Sequence, residues 1–587
     1  MVDLLGARCV SEVFELHARE RGDRPAVAIV GDPADPASAQ VLSYAELDQA
    51  ARTVARELLQ TCPAGSRVLL LQPTSAEFVA SVLGCFYAGM VAVPSSMPGR
   101  YRQDRERVRG IAHDAEVACV LTTPGEQEEV LAWTEQHGFT VPVLPQRIDL
   151  TLPADDLRPY DCDQHSVAVL QYTSGSTSAP KGSVVTHGNL LANAATTAAA
   201  FPLEEGERFG GWLPNYHDMG LMGLILSPLL AGYGTALMSP SAFLRRPRTW
   251  LQLIDNFDIA LSAAPNFAYD LCVTRLSEED VRGIDLSRWK YAVSGSEPVK
   301  ASVLNSFAAR FGTTGFRPDR FVPCFGMAEA TLLVSASPRR TPVVLRCDAA
   351  ALEQDRVEPA TGDDAPAELV SCGEVLDMDA RIVDPRTLRE LPSGQVGEIW
   401  LRGPSVVHGY WRNEEATGAA FDRRVGGEGG FMRTGDLGVL IGGELYVTGR
   451  IKELMIIRGR NIYPHDIEHE LREQHPQLRD AVGSVVSVAT PEDDEGRLVV
   501  IHEVRRRSPD EELAQLAARL RSTISREFGL KAHSVLLMRR GGVRRTTSGK
   551  VQRSTMRELY LRGELEPLWA DGYRPQAAPT ASGAGES

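Results

Sequence analysis

The chain has 587 residues, 43% of them hydrophobic and 24% charged, an ordinary globular composition but too long for one core, since a single core stops growing at about 250–300 residues. Its 62 Lys and Arg stand against 77 Asp and Glu, a net charge of −15, which argues against broad nucleic-acid binding. The nine scattered cysteines form no Cys-x-x-Cys, a pattern of reduced thiols rather than of disulfides or a zinc site.

In chain order, Met1–Arg8 lacks a signal-peptide pattern, because no long apolar segment follows the basic residue; a cytoplasmic protein is expected. Ser43 and Glu46 have the spacing of a capping box. Leu47, Ala51, Val54 and Leu58 then share one helical face. Val68–Leu71, ended by Pro73, predicts a buried strand, Ser75–Gly89 a helix and Val91–Pro94 the next strand. Continuous apolar strands alternating with helices indicate a mostly parallel sheet covered on both faces. Val167–Leu170 is strand-like, and a helix-like run begins near His187. Met219–Leu244 has no charged residue, but Pro228, Gly220, Gly223, Gly232 and Gly234 break it. It reads as a buried helix, a turn and a strand, not as a membrane span.

The pattern changes after about Ser335. Pro338–Leu369 is charged and Pro-rich; Ala380–Asp384, Gly397–Leu401 and Gly438–Val447 then suggest a small β-rich subdomain. From about Lys452 a separate α+β domain is expected, with strands at Ala481–Val488 and Leu498–Val504. Ser508-Pro509-Asp510-Glu511 opens a helix there, and Leu513, Leu516, Leu520, Ile524 and Phe528 line one face of it. The tail from Pro575 is mostly Pro, Ala, Gly and Ser, a linker-like composition.

Between strand and helix, Tyr172-Thr173-Ser174-Gly175-Ser176-Thr177-Ser178-Ala179-Pro180-Lys181-Gly182 packs hydroxyls, glycines and one lysine into a short loop. Such a loop can wrap N–H groups and hydroxyls around phosphate oxygens, with Lys181 adding positive charge. It is not a Walker A loop, because Pro180 stands where that motif has glycine. Alone, it reads more readily as a surface turn. Glu329, in Cys324-Phe325-Gly326-Met327-Ala328-Glu329-Ala330-Thr331, can hold a Mg²⁺ that bridges triphosphate oxygens. Asp436, after Arg433-Thr434-Gly435, can accept both hydroxyls of a ribose. Gly449-Arg450-Ile451-Lys452 follows, and Lys550 sits in Thr546-Thr547-Ser548-Gly549-Lys550-Val551. Singly, each has a plain reading as a helix-start glutamate, a turn aspartate or a solvated lysine.

In this order and spacing the set resembles the adenylate-forming superfamily of acyl- and aryl-CoA synthetases, adenylation domains and luciferases, from about Val10 to Leu568. Within it the chain looks most like the fatty-acyl-AMP ligases. Gly211-Trp212-Leu213-Pro214-Asn215-Tyr216-His217-Asp218-Met219-Gly220-Leu221, Pro265–Asp270, Gly295-Ser296-Glu297-Pro298-Val299 and Arg458–Glu468 carry that likeness. The resemblance implies an α/β fold. A large N-terminal domain of two doubly wound sheets plus a β-barrel-like subdomain would span 1–451, a small mobile α+β C-terminal domain 452–570, and a linker-like tail 571–587. An insertion of these ligases would fall at about 338–370. Three positions depart from the family pattern: Ser178 for glycine, Phe325 for tyrosine and His465 for glutamine.

The implied activity is ATP- and Mg²⁺-dependent conversion of a fatty acid to acyl-AMP, then transfer to the phosphopantetheine thiol of an acyl carrier protein on a separate chain or a downstream module. The alternative is a fatty acyl-CoA synthetase. The resemblance assigns Lys550 to the carboxylate and α-phosphate, and Glu329 to the metal with Thr177 as a hydroxyl ligand. Thr173, Ser174, Gly175, Ser176, Thr177 and Lys181 would hold the leaving pyrophosphate. Asp436 and Arg450 would fix the ribose, and Gly295, Ser296, Glu297, Phe325, Gly326 and Met327 would frame the adenine. His217 would lie near the acyl carboxylate, and Lys452 at the hinge. Trp212, Met219, Phe243 and Phe267 are candidates for an apolar acyl tunnel, and equally for ordinary core. Arg539, Arg540, Arg544, Arg545, Lys550 and Arg553 read as a docking face for an acidic carrier protein rather than for nucleic acid.

Overall fold

The capping box forms as its spacing predicts. In the computed structural model, which describes residues 2–99, 102–151, 157–172, 180–360, 366–457, 460–490, 493–504, 509–546 and 549–573, the Glu46 N–H donates to Ser43 Oγ at 3.3 Å and the Ser43 N–H to the Glu46 carboxylate at 2.8 Å. The helix Tyr44–Thr61 follows and buries Leu47, Ala51, Val54 and Leu58. The strand Arg67–Leu70, the helix Ala76–Tyr87 with Ser75 as its cap, and the strand Val91–Pro94 come next.

The chain divides into two units. One comprises Met1–Cys347 and Pro359–Val447, the other Asp348–Glu358 and the chain from Thr448. The first unit holds a six-stranded sheet in the order Val143–Pro145, Cys119–Thr122, Arg67–Leu70, Val91–Pro94, Val167–Tyr172, Gly182–Thr186. All neighbours run parallel except the last pair. Alternate side chains of one strand feed two cores: Val68 and Leu70 join one hydrophobic cluster, Leu69 and Leu71 another. This is why the strand reads as a continuous apolar run.

A second sheet of the same unit has a parallel core of Pro25–Val30, Gly234–Met238, Arg208–Gly211, Ile259–Pro265, Tyr291–Gly295 and Phe321–Gly326. Antiparallel strands extend it through Leu333–Ala336 to Glu428–Ile441, Gly397–Arg402 and Asp379–Val383. The β-rich piece expected after Ser335 is therefore hydrogen-bonded onto this sheet. The uncharged stretch folds as a helix, a turn at the left-handed Gly232 and the strand Gly234–Met238, but its first part, Met219–Leu226, is wound as a π-helix, a form that recurs near functional sites. Among the described residues no helix is long and apolar enough to cross a membrane.

The second unit is α+β, as expected. Its four-stranded sheet runs Gly483–Thr490, Asp493–Glu503, Ala532–Met538, Trp569–Asp571. Val485, Val500, Val535 and Leu537 pack on one face against Leu513, Leu516, Leu520 and Ile524 of the helix Asp510–Phe528. Val486, Val499, Ile501 and Leu536 pack on the other face around Met556. The helix starts one residue later than a first-turn proline requires: Pro509 is its N-cap, and Ser508 lies outside the described residues. Within the candidate insertion, Val344–Cys347 pairs with Ala367–Val370, and Asp348 caps the short helix Ala349–Leu352. Glu353 takes the Arg460 guanidinium on both oxygens, at 2.5 and 2.6 Å, and its carbonyl accepts from the Asn461 N–H at 3.0 Å. These bonds attach Asp348–Glu358 to the second unit.

Two buried histidines couple stability to pH. Burial lowers His187, which accepts the Val10 N–H on Nδ1, to about 4. His502 donates from Nδ1 to the Glu503 carbonyl, its buried Nε2 has no partner among the described residues, and burial lowers it also to about 4. Unfolded imidazoles titrate near about 6.5, so between the two values the unfolded chain binds more protons and stability is lost as the pH falls. The thermal midpoint should drop between about pH 7 and about pH 5, and drop less in His187→Asn and His502→Asn; equal slopes in wild type and variants would contradict this assignment.

Candidate active site

In the first unit, the chain leaving the phosphate-type loop and the turn carrying Glu329 are stitched together by one segment, Ser405–Trp411. At one end, Thr331 Oγ1 donates to the Ser405 carbonyl at 2.7 Å and the Val407 N–H to the Glu329 carbonyl at 2.9 Å. At the other, the Val184 N–H donates to the Gly409 carbonyl at 3.1 Å and the Trp411 N–H to the Gly182 carbonyl at 2.8 Å. Tyr410 lies between. Its hydroxyl donates to Glu329 Oε1 at 2.9 Å, and Lys181 Nζ sits 5.3 Å from its ring centroid. Burial, then the Glu329 charge, raises the Tyr410 phenol, which stays a donor. Glu329 is in a 3₁₀ turn, Ala328–Ala330, followed by Thr331 at φ 65°, a costly conformation that concentrates at functional sites. Thr173, Ser174, Gly175, Ser176 and Thr177 lie outside the described residues, as does Ser178.

The residues proposed to frame an adenine end two adjacent parallel strands. Gly295 and Gly326 permit the close approach of their surroundings. A Cβ on Gly295 would lie 2.7 Å from Cys324 Sγ, and one on Gly326 would lie 2.1 Å from the Leu332 carbonyl oxygen. Ser296 is held at φ 72°, and Glu297 accepts from the Phe267 N–H at 2.6 Å. Phe325 and Met327 are buried.

Asp436 is aimed by a bulge. The pairing of Gly397–Arg402 with Glu428–Ile441 shifts register between Glu398/Leu437 and Trp400/Arg433, which turns the intervening residues out of the ladder. Glu398, only 2% exposed, holds the bulge. Its carboxylate accepts from Arg433 Nε at 2.9 Å, Trp400 Nε1 at 3.0 Å and the Gly435 N–H at 3.1 Å. Thr434 Oγ1 donates to the Ile399 carbonyl and accepts the Asp436 N–H. A carboxylate fixed this way can receive two hydroxyl donors.

His217 Nδ1 lies 2.6 Å from Asp218 Oδ1 at the start of the π-helix. Asp218 accepts the Met219 N–H at 2.7 Å. Of the acyl-tunnel candidates, Trp212 and Phe243 stack at 4.0 Å between centroids and are buried, while Phe267 meets Trp212 edge-on at 6.2 Å. Met219 is buried as well. The Trp212 indole N–H has no partner among the described residues.

In the second unit, Arg450 ends the strand Glu444–Arg450, and its carbonyl accepts the N–H groups of Glu453 and Leu454 across the turn that carries Lys452. The Lys550 N–H donates to Thr546 Oγ1 at 3.0 Å, and the Thr546 N–H donates back to the Lys550 carbonyl at 2.7 Å. One expectation needs correcting. Arg553 is not part of an exposed basic face: it is largely buried and bonded to Glu453 and Glu468, because it opens the helix Arg553–Leu561 toward the core.

A family model described as "AMP-binding enzyme" matches residues 14–411. The chain is 39% identical over 539 residues to the medium-chain-fatty-acid–[acyl-carrier-protein] ligase JamA of Moorena producens, covering 89% of this chain and 90% of that one. It is 36% identical to a 4-hydroxyphenylalkanoate adenylyltransferase of Mycobacterium tuberculosis, covering 95% and 93%. A solved structure from work on the fatty acyl-adenylate ligases of E. coli and L. pneumophila superposes with a TM-score of 0.85 at 32% identity, covering 95% of this chain and 98% of that one. A family match across most of the large unit and likeness along nearly the whole chain agree: the chain belongs to the AMP-binding enzymes of the adenylate-forming superfamily and, among them, to the fatty-acyl-AMP ligases.

Proposed function

We propose that the protein activates a fatty acid as acyl-AMP, with release of pyrophosphate, and passes the acyl group to the phosphopantetheine thiol of an acyl carrier protein. The observation that carries the reading is the fixed juxtaposition of Glu329, Tyr410 and Lys181 at the root of the loop from Thr173. Attack of one anion on another needs positive charge and preset donors, and this arrangement provides a carboxylate for a metal beside a lysine.

In the first step an oxygen of the fatty carboxylate bonds to the α-phosphorus as the bond from phosphorus to the pyrophosphate oxygen breaks. Lys181 meets the leaving phosphates, and Lys550 bridges carboxylate and α-phosphate. Asp436 and Arg450 hold the ribose, and the turns at Gly295–Glu297 and Phe325–Met327 frame the base. The residues present suit Mg²⁺: a single carboxylate completed by phosphate oxygens is its usual setting, and Glu329 Oε1 is already oriented by Tyr410. When bound, Mg²⁺ neutralises charge on the pyrophosphate. In the second step the carrier's thiolate attacks the acyl carbonyl carbon and AMP leaves.

Transfer to a carrier draws support from JamA, whose name specifies such a transfer. Medium- or long-chain acids are the first substrates to test, and 4-hydroxyphenylalkanoates the second, because a comparably similar relative is named for them.

Mass spectrometry of the protein with ATP, Mg²⁺ and an acid panel, given coenzyme A or a phosphopantetheinylated carrier, tests the proposal. Acyl-AMP that persists with coenzyme A and becomes a thioester on the carrier is the expected result; efficient acyl-CoA formation would make the protein a fatty acyl-CoA synthetase instead. Lys550→Ala should slow adenylation by about 100-fold or more while largely sparing thioester formation from supplied acyl-AMP. Equal loss of both half-reactions would refute that role.

A further inference from the structure

The turn that presents Lys550 is rooted in a buried charge cluster of the second unit. Arg545 and Val551 form an antiparallel bridge, and the Gln552 N–H donates to the Arg544 carbonyl at 2.9 Å. The next residue, Arg553, spends its guanidinium on two carboxylates from other parts of the chain. Its Nε and Nη2 meet both oxygens of Glu468 at 2.8 and 2.6 Å, and its Nη1 meets Glu453 at 2.6 Å. Glu468 also accepts the Val485 N–H at 2.9 Å, which ties the cluster to the central sheet. Burial alone would raise the Glu468 carboxyl and lower Arg553. The ion pairs outweigh it, so that Glu468 is held below the ordinary range and Arg553 above it. A planar, bidentate pair of this kind fixes direction as well as distance.

Glu453 follows Lys452 directly and lies in the Arg450–Leu454 turn. The guanidinium therefore joins the root of the Lys550 turn to the turn that carries Lys452. We propose that Arg553 is a positioning residue for adenylation: through Glu453 it makes the Lys550 turn and the Lys452 turn one rigid piece, so that movement about Lys452 carries Lys550 with it in full. The inference rests on the assignment of Lys550 to the adenylation step made above and on the hinge that the family resemblance places at Lys452. Glu468 anchors the piece to the core, whereas Glu453, whose side chain is 26% exposed, transmits orientation.

The test is a double-mutant cycle on the full chain. Glu453→Gln keeps the Arg553–Glu468 pair and so avoids stranding a buried charge. It should lower the kcat of acyl-AMP formation about tenfold, leave KM for ATP and thioester formation from supplied acyl-AMP nearly unchanged, and hold the thermal midpoint close to wild type. Placed on Lys550→Ala, it should add less than about twofold, because both changes act through one group. Equal loss in both half-reactions, or a full additional loss on the Lys550→Ala background, would show a merely structural role and overturn the proposal. A strong defect in Lys550→Ala with none in Glu453→Gln would overturn the positioning claim alone. Undiminished adenylation by Lys550→Ala would overturn the assignment of Lys550, and the positioning claim with it.

Discussion

The relative placement of Lys181 and Glu329 depends on the double attachment of Ser405–Trp411. Two strands end where phosphate chemistry would take place, one before the loop from Thr173 and one before the Glu329 turn. They belong to different sheets: Val167–Tyr172 to the six-stranded one, Phe321–Gly326 to the longer one. Without a strap the separation of Lys181 and Glu329 would drift with every slide of sheet on sheet. The backbone bonds to Gly182, Val184 and Glu329, with the Tyr410 hydroxyl on the carboxylate, make that separation a property of the fold. Groups set in advance stabilise developing charge without reorganising when the reaction occurs, which is where electrostatic catalysis gains most.

The same device, a buried charge used for geometry, recurs around the turns that carry Asp436 and Lys550. Glu398 orders the turn below Asp436, and Glu468 orders the root of the Lys550 turn. Buried ion pairs contribute little net stability compared with apolar residues of equal volume. Here each carboxylate satisfies three donors drawn from two segments: Trp400 of its own strand with Arg433 and Gly435 on Glu398, and Val485 with two nitrogens of the Arg553 guanidinium on Glu468. Their contribution is to select one arrangement of a turn from many of similar energy.

Much of the fold was legible because its causes are local. The Ser43–Glu46 box, the apolar runs at Val68–Leu71 and Val91–Pro94, and the periodic face from Leu513 to Ile524 state their own conformations. The family was legible from the order of short motifs, each ambiguous alone. What escaped was set by contacts distant in sequence. Tyr410 meets Glu329 across 81 positions, and no periodicity announces such a pair. Glu398 lies in the strand-like run Gly397–Leu401, where a glutamate beside Ile399, Trp400 and Leu401 is a signal that something buried needs its charge. Arg553 looks in sequence like the arginines near it, because its carboxylate partners lie 85 and 100 positions earlier. The π winding of Met219–Leu226 likewise has no signature beyond its apolar composition.

Glu329, held by the Tyr410 hydroxyl, is the carboxylate proposed to bind Mg²⁺ during adenylation. The direct measurement is the Mg²⁺ dependence of acyl-AMP formation in the wild type and in Glu329→Gln, at saturating ATP and fatty acid. The variant should need about tenfold or more Mg²⁺ for half-maximal rate and reach a lower maximum, with an unchanged thermal midpoint. An identical Mg²⁺ requirement in a folded Glu329→Gln protein would place the metal elsewhere and contradict the role given to this site.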